Sequence, residues 1–297
     1  MPFLKTLVFL LSSLLAYIFI VYDKILNSVL PASSKGMARQ PFLNYIENDV
    51  KQICYQNASQ LTRFWLYTPN LTCNMRYDTF AAKEPEMFEW INEYGGDGSF
   101  YDIGANIGLY SLYYAKSHKG NVFSFEPSVF NLKQLAKNVS INAMNEKITI
   151  ISNPLTNKTG IAGFVNGSDT EGGAMGAFGV DFGWDGKAID SQFKYSLLGF
   201  SLDDLIEKNI ITETPSLIKI DVDGIEHLIL KGALKTLESQ TLKSIYVEVN
   251  EDFHEHSDRI KAILEGAGFR LKEKRRSDLV EDTISNWGNV YNQIWIR

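Results

Sequence analysis

The chain has 297 residues, 45% of them hydrophobic and 22% charged, a composition typical of a globular protein rather than a disordered or fibrous one. Two cysteines exclude a disulfide-built scaffold and a four-thiolate zinc site. A net charge of −6 argues against a general nucleic-acid-binding protein, because neutralising phosphates requires a clustered positive surface. The charge is uneven, since four basic residues and one acidic residue give residues 1–40 a charge of +3.

An uncharged apolar segment runs from Thr6 to Tyr22, between Lys5 and Asp23. As a helix it spans about 25 Å, and apolar flanks extend it toward the roughly 30 Å of a bilayer core. We therefore predict that residues 1–30 form a single-pass membrane anchor helix. A cleaved signal peptide and a buried core helix are the alternatives, and the first lacks a good small-x-small cleavage site. Basic residues flank both ends, so the charge pattern leaves the orientation open.

Residues 31–85 are predicted to form a linker and a cap. The linker, PASSKGMAR at 31–39, combines proline and glycine with small residues. Residues 41–85 have mixed periodicity, which predicts a short helical or irregular segment. Cys54 and Cys73 lie there; they can pair in an oxidising compartment, whereas a cytoplasmic location favours reduced thiols.

From residue 86 to 297, predicted helices and strands alternate. Strands separated by helices of about ten residues are typical of βαβ units and a parallel sheet. The last two strands lack an intervening helix, so the final strand is expected to pair antiparallel at one end. We predict a Rossmann-like α/β sandwich with a mostly parallel sheet and an irregular insertion at about 160–200. The seven strands are expected at 99–103, 121–125, 148–151, 217–222, 244–249, 269–272 and 290–296.

Two strand ends carry residues that suit a nucleoside. In an open α/β sheet, ligands bind beyond the carboxyl ends of the strands. The first strand leads into DIGANIG, from Asp102 to Gly108, where Gly104 permits a close approach of the backbone. The second strand ends at Glu126, where a carboxylate can accept both ribose hydroxyls; capping before Pro127 is the alternative. Together these residues predict a nucleoside cofactor.

The spacing of the loop distinguishes two cofactor classes. A dinucleotide site requires G-x-G-x-x-G, whereas this loop reads D-x-G-x-x-x-G and has an acid before the turn. That acid repels a pyrophosphate but suits the cationic amino-acid end of S-adenosylmethionine. The Tyr-x-x-x-Lys pair of short-chain dehydrogenases is also missing. The spacing favours a methyl donor, with a nicotinamide-dependent oxidoreductase as the alternative.

Three carboxylates surround the glycine turn that follows the strand at 217–222. A hydroxyl acceptor needs a base or an acid-lined pocket before it attacks a sulfonium carbon. We therefore predict Asp221, Asp223 and Glu226 as catalytic residues. Alternation along the strand directs Lys219 and Asp221 to one face. Helix capping is the alternative role for Asp223 and Glu226.

Several segments resemble the FkbM-type methyltransferase family: FYDIGANIGLYSLYYAK, VFSFEPS, NPLTNKTG, SLDDLIEK and LIKIDVDGIEHLILKGA. The similarity covers roughly residues 97–250. It implies a class I methyltransferase fold and an S-adenosylmethionine-dependent enzyme, usually one that O-methylates a sugar or polyketide hydroxyl. The implied cofactor contacts are Asp102, Gly104, Asn106 and Gly108 at the amino-acid part, Glu126 at the ribose and Asn153 near the adenine. The resemblance also places Asp221 by the transferred methyl group.

The acceptor is expected to meet Glu248, Asn250 and His254, because their strand should neighbour the one that ends at Asp221. Trp184 is a fourth candidate, within the glycine-rich segment EGGAMGAFGVDFGWDG at 171–186. We hypothesise that this segment is a lid whose aromatic rings stack on a sugar; a loop with incidental aromatic residues is the alternative. A solvated loop at the histidines is favoured over a divalent metal, so no metal is predicted.

The sequence thus predicts a membrane-anchored methyltransferase that modifies a hydroxyl of a sugar, glycan or glycolipid and has no nucleic-acid partner. Tethering makes a lipid-linked sugar attractive as acceptor, because enzyme and substrate then share a surface. The supply of the donor favours a catalytic domain that faces the cytoplasm. A tethered binding module that has lost catalysis is the remaining alternative.

Overall fold

A computed structural model describes residues 2–58, 60–191, 193–276 and 289–297. The chain divides into two compact units, Met1–Asp49 and Val50–Arg297. The first unit contains α1 (Pro2–Val29), a 3-10 helix (Ala32–Ser34) and α2 (Gln40–Glu47). Within α1, Leu4–Val29 is long and apolar enough to cross a membrane, with a mean hydropathy of 2.2 and none of its most apolar window buried. The predicted apolar helix is therefore present, and it extends to Val29.

The second unit holds the alternating strands and helices. Its strands are β1 (Val50–Gln56), β2 (Leu61–Tyr67), β3 (Ser99–Ile103), β4 (Val122–Phe125), β5 (Ile148–Ile151), β6 (Gly160–Asn166), β7 (Ala177–Phe178), β8 (Phe193–Gly199), β9 (Pro215–Ile220), β10 (Ser244–Asn250), β11 (Arg270–Arg275) and β12 (Val290–Ile296). Its helices are α3 (Leu71–Asp78), α4 (Pro85–Tyr94), α5 (Leu109–Ser117), α6 (Val129–Ile141), α7 (Leu202–Glu207), α8 (Glu226–Lys231), α9 (Leu234–Leu237) and α10 (His254–Gly266).

The central sheet has seven strands in the order β11-β12-β10-β9-β3-β4-β5. Neighbouring strands from β10 to β5 pair in parallel, and β12 pairs antiparallel with both β10 and β11. This order confirms the Rossmann-like sandwich with an antiparallel last strand. That strand lies between β10 and β11 rather than at the end of the sheet, so the expected position was wrong. Inserting β12 there keeps β11 pointing the same way as the parallel strands.

Both faces of the sheet are covered, which explains why the central strands consist mostly of apolar residues. All six residues of β9 and all five of β3 are buried. Side chains alternate between two cores: Tyr101 and Ile218 pack on one face, whereas Phe100 and Leu217 pack on the other. Because the parallel strands run in the same direction, their carboxyl ends meet along one edge, and polar residues there are brought together.

The segment before the central sheet corrects one prediction. Residues 50–67 form an antiparallel hairpin of β1 and β2, not a helical or irregular cap. In β2, Thr62, Phe64 and Leu66 are buried while the residues between them are exposed, the alternation of a half-buried strand. The exposed residues include Leu61 and Trp65, which hid that alternation in the sequence.

The insertion also differs from its prediction. Residues 160–199 contain a three-stranded antiparallel sheet in the order β7-β6-β8, not an irregular loop. Phe164 and Phe178 from this small sheet are buried in the core on one face of the central sheet. Six glycines within residues 171–186 make the segment resemble a loop, although part of it pairs as a strand.

Candidate active site

A cavity of about 220 Å³ lies at the carboxyl ends of the central strands. Gly104 follows β3, Glu126 follows β4 and Asp221 follows β9, and all three line this larger cavity together with Glu248 of β10. A smaller cavity of about 50 Å³ lies toward the start of α5. Six residues line both cavities: Arg76, Lys83, Glu84, Gly104, Asn106 and Asp221. The two cavities therefore form one continuous site at a place where α/β sheets bind ligands.

The glycine loop and Glu126 shape one wall of this site. Gly104 has a φ of +80°, and a Cβ atom there would lie 1.9 Å from the carbonyl oxygen of Asp221, so only glycine fits. The carboxylate of Glu126 accepts hydrogen bonds from the backbone N–H groups of Asn106 at 2.7 Å and Ser128 at 2.9 Å. Burial raises the pKa of Glu126. These bonds hold its carboxyl group in one orientation at the cavity wall.

A buried lysine organises the floor of the site. Lys219, whose side chain is 2% exposed, donates a hydrogen bond to the carbonyl oxygen of Gly104 at 2.7 Å. Its Nζ atom lies 3.3 Å from Asp102 and 3.6 Å from Asp221. Burial favours the neutral amine, but the carboxylates of Asp102 and Asp221 outweigh burial and raise the pKa of Lys219. The lysine therefore stays charged beneath the strand ends.

Asp102 belongs to the floor beneath the site and does not line either cavity. It lies directly beside Lys219 across the β3–β9 register, and its other oxygen accepts a hydrogen bond from Ser111 at 2.6 Å. Its side chain is fully buried and lines neither cavity. The structure therefore places Asp102 below the site, where it balances the charge of Lys219, and not at the expected contact with a cofactor.

Asp221 and Glu248 face the larger cavity with pKa values shifted in opposite directions. Burial acts to raise the pKa of Asp221, but the positive charges of Lys219, Lys83 and Arg76 outweigh it and lower that pKa. Burial and the charge of Asp221 raise the pKa of Glu248 well above its usual value. The pKa values of the two neighbouring carboxyl groups are thus pushed apart, a division typical of acid–base sites.

Asp223 fastens the glycine-rich insertion over the cavity. Burial and the nearby charge of Asp221 raise the pKa of Asp223 to about 7. Its Oδ2 atom accepts hydrogen bonds from the backbone N–H groups of Met175 at 2.7 Å and Gly176 at 3.3 Å. Asn106 ties down the same segment by donating to the carbonyl oxygen of Gly173 at 2.7 Å. Residues 171–176, here called the strap, thus cross the site and are held from both sides.

The aromatic residues proposed for a lid lie elsewhere. The ring of Phe178 is buried against the sheet, and the ring of Phe182 packs edge-on against Phe253 at 5.9 Å. The carbonyl oxygen of Trp184 accepts a hydrogen bond from Asn250 at 3.1 Å. Neither cavity is lined by Phe182, Trp184 or Asn250. The strap covers the site with backbone and Met175, and the aromatic residue of the insertion that lines the larger cavity is Phe164 of β6.

Glu226 supports the site without lining it. Its buried carboxylate accepts hydrogen bonds from His256 at 2.6 Å and from the backbone N–H groups of Val222 and Gly224, both at 3.1 Å. Burial raises the pKa of Glu226, but the interactions with His256 and the backbone N–H groups together outweigh burial and lower it. These bonds hold the turn that carries Asp223, whose φ is +63°. The bonds of Glu226 thus differ from the helix capping considered as its alternative role, because they join the turn to His256.

Three further predicted residues lie away from both cavities. Gly108 has a φ of +87° immediately before α5, and a Cβ atom there would lie 2.5 Å from Leu135. Asn153 donates to the carbonyl oxygen of Leu198 in β8 at 2.8 Å. His254 is exposed at the first residue of α10. Gly108 thus shapes the backbone at the start of α5, and Asn153 and His254 line neither cavity.

Comparison with known proteins identifies the family. The sequence profile of the methyltransferase FkbM domain matches residues 102–271, more than half of the chain. This protein belongs to the FkbM methyltransferase family. The match begins at Asp102 and includes the whole strap, as well as Glu126, Asp221 and Glu248.

Individual relatives are distant. The hexuronic acid methyltransferase AglP of Haloferax volcanii is 25% identical over 162 residues, which are 54% of this chain and 61% of AglP. The chain thus spans less than two thirds of that relative. A crystal structure of methyltransferase FkbM from Methylobacillus flagellatus is 17% identical, with a TM-score of 0.42, and covers 68% of this chain and 44% of that one. Fibrillarin of Aeropyrum pernix, solved with natively bound S-adenosyl-L-methionine, is 12% identical with a TM-score of 0.38, over 68% and 66%. The family assignment rests on the profile match.

Three site residues precede the FkbM match and were missed in the sequence. Arg76 is in the last turn of α3, and Lys83 and Glu84 connect α3 to α4. Lys83 pairs with Glu84 at 2.6 Å, and Tyr110 donates a hydrogen bond to Glu84 at 2.5 Å. The signal that could have found them is the charged stretch RYDTFAAKEPE, which precedes the first predicted helix of the main domain.

Proposed function

We propose that this protein is an S-adenosylmethionine-dependent methyltransferase that modifies a hydroxyl of a sugar, glycan or glycolipid. Membership of the FkbM family supports methyl transfer as the class of reaction. The observation that carries the proposal is the cavity itself, in which Asp221 and Glu248, with pKa values shifted in opposite directions, lie together with the glycine loop and Glu126. This combination suits a nucleoside donor and a hydroxyl acceptor.

The residues of the cavity fit such a donor. Glu126 is held by two backbone N–H groups and is the residue expected to accept the ribose hydroxyls. The walls of the smaller cavity carry both signs of charge, from Arg76, Lys83 and Lys219 and from Glu84 and Asp221, which suits a ligand that has a cationic and an anionic group. When bound, the donor supplies a methyl group on a positively charged sulfur.

The acceptor side depends on the chain's own carboxyl groups. The ionised carboxylate of Asp221 would accept a hydrogen bond from the acceptor hydroxyl and take its proton as the oxygen–methyl bond forms and the methyl–sulfur bond breaks, with S-adenosylhomocysteine as the leaving group. Its lowered pKa makes it a modest base, so orientation of the hydroxyl is the larger contribution. Glu248, whose pKa is raised, donates a hydrogen bond to a second acceptor oxygen in its protonated form. Asp223 lines the same cavity, and because only its Oδ2 atom accepts hydrogen bonds from the strap, its other carboxyl oxygen is the alternative base.

A sugar is the acceptor class that the comparisons favour, since the curated relative acts on a hexuronic acid. We also propose that α1 anchors the protein in a membrane as a single pass, with the catalytic unit in the cytoplasm where the donor is made. The apolar character of Leu4–Val29 supports an anchor. An anchored enzyme would meet a lipid-linked sugar on the same surface.

The proposal is tested by incubating the full-length protein in detergent with methyl-labelled S-adenosylmethionine and a lipid and glycan extract. We expect an extract component to gain a labelled methyl group in place of a hydrogen, about 14 mass units plus the mass of the label, and S-adenosylhomocysteine to suppress the gain. Binding of the donor without any labelled product would instead indicate a binding module without catalysis. A product labelled at nitrogen or carbon would contradict O-methylation.

A further inference from the structure

Arg76 is a cation of the site whose binding capacity is largely unused. Its Nε atom donates a hydrogen bond to the carbonyl oxygen of Gly172 in the strap at 2.6 Å. Within the described parts of the chain, Arg76 makes no other hydrogen bond and no ion pair within 4.0 Å. By contrast, Lys83 pairs with Glu84, and Lys219 pairs with Asp102 and Asp221. The two terminal nitrogens of the Arg76 guanidinium are therefore left for a ligand.

The position of Arg76 indicates which part of a ligand it meets. It lines both cavities, and in the smaller one the other walls include Gly104 and Asn106 of the glycine loop and Leu109 at the start of α5. The acceptor-side residues Asp223 and Glu248 line only the larger cavity. The first turn of α5 adds the partial positive charge of a helix N-terminus. Because the glycine loop is the part of the site expected to hold the donor's amino-acid end, an anionic group at that end lies within reach of Arg76.

We propose that Arg76 binds the carboxylate at the amino-acid end of the donor. The inference rests on the proposed function, which supplies a donor with one such carboxylate. The planar guanidinium can donate two parallel hydrogen bonds to a carboxylate, which a lysine cannot do. Because Arg76 precedes the FkbM match at 102–271, this contact would come from the hairpin-and-helix segment outside the matched domain. It concerns a different group from the ammonium contact expected of Asp102, which lies below the cavity floor.

The test is calorimetry on the full-length protein in detergent with two ligands, S-adenosylhomocysteine and its analogue that lacks the carboxylate. Wild type should bind the analogue about 10- to 100-fold more weakly, the range for a hydrogen bond to a charged group. Arg76→Met should bind S-adenosylhomocysteine more weakly by a similar factor and no longer distinguish the two ligands. Arg76→Lys should restore part of the discrimination because it keeps the charge.

Two controls separate this contact from other effects. Arg63→Met removes an exposed arginine of β2 and should leave both affinities unchanged. Arg76→Gln retains an amide that can donate to Gly172, so it keeps the strap tied while removing the charge. If the Arg76 variants weaken both ligands equally, or bind both as wild type does, the carboxylate contact is wrong. If wild type binds neither ligand, the proposed function fails and the inference fails with it.

Discussion

Replacing Lys219 with methionine is expected to lower the free energy of unfolding by about 3–5 kcal/mol. Methionine fills a similar volume but leaves the fully buried carboxylate of Asp102 without its counter-ion. It also removes the hydrogen bond to the carbonyl oxygen of Gly104, which holds the glycine loop. The loss is measured as a shift in the midpoint of chemical denaturation, followed by a signal of the catalytic unit.

Two further variants show whether charge balance is the cause. The double variant Lys219→Met with Asp102→Asn should be less destabilised than the single lysine variant, because no unpaired buried charge remains. Lys194→Met removes an exposed lysine of β8 and should shift the midpoint little. A single Lys219→Met variant as stable as wild type would contradict the role of Lys219 as the charged centre of the floor.

Replacing Asp221 with asparagine should reduce turnover by about 10²- to 10⁴-fold, the range for removal of a positioned base. Asparagine keeps the size of the side chain but cannot take the proton of the acceptor hydroxyl. Turnover is measured with the labelled donor at saturating acceptor, and calorimetry with S-adenosylhomocysteine reports donor binding separately. Binding should be affected far less than turnover.

Asp258→Asn is the matched control, since it makes the same change at an exposed position of α10. It should leave turnover unchanged. The lowered pKa of Asp221 means that its carboxylate is ionised above its ordinary value of 3.8, so this role should persist throughout the neutral range. An Asp221→Asn enzyme with wild-type turnover would remove Asp221 from the reaction.

The central sheet was predictable because its strands are short apolar runs separated by helices, a pattern that only a covered parallel sheet explains. The hairpin of β1 and β2 was not, because Trp65 and Leu61 occupy its exposed face and disguise the period of two. In the insertion, the many glycines made the segment resemble a loop, although β6 and β8 pair with each other across the residues between them. The sequence of one strand alone does not show whether it has a partner strand, so these two strands were missed.

The site was predictable where a residue's place at a strand end determines what it faces. Gly104, Glu126, Asp221 and Glu248 come from different strands and meet in the larger cavity for that reason. Asp102 also ends a strand, but its role depends on Lys219, 117 positions later.

Glu226 is a second residue whose partner is distant in sequence. Its partner is His256, which belongs to another helix. Their positions in the sequence indicated that Asp102 and Glu226 lie near the site. The sequence did not indicate that each carboxylate would be bound to a buried side chain, Lys219 or His256. Arg76 lies outside the FkbM match at 102–271, so its place in the site became apparent only from the residues that line the cavities.

The central claim is that a nucleoside donor lies across the strand ends with its ribose at Glu126. The most direct test is calorimetry of S-adenosylhomocysteine binding to the full-length protein and to Glu126→Gln, with Glu146→Gln as an exposed control. We predict saturable binding to wild type and to the control, and about 10- to 100-fold weaker binding to Glu126→Gln, because a charge-assisted contact to the ribose hydroxyls is lost. No binding to wild type, or equal affinity in all three proteins, would contradict the account.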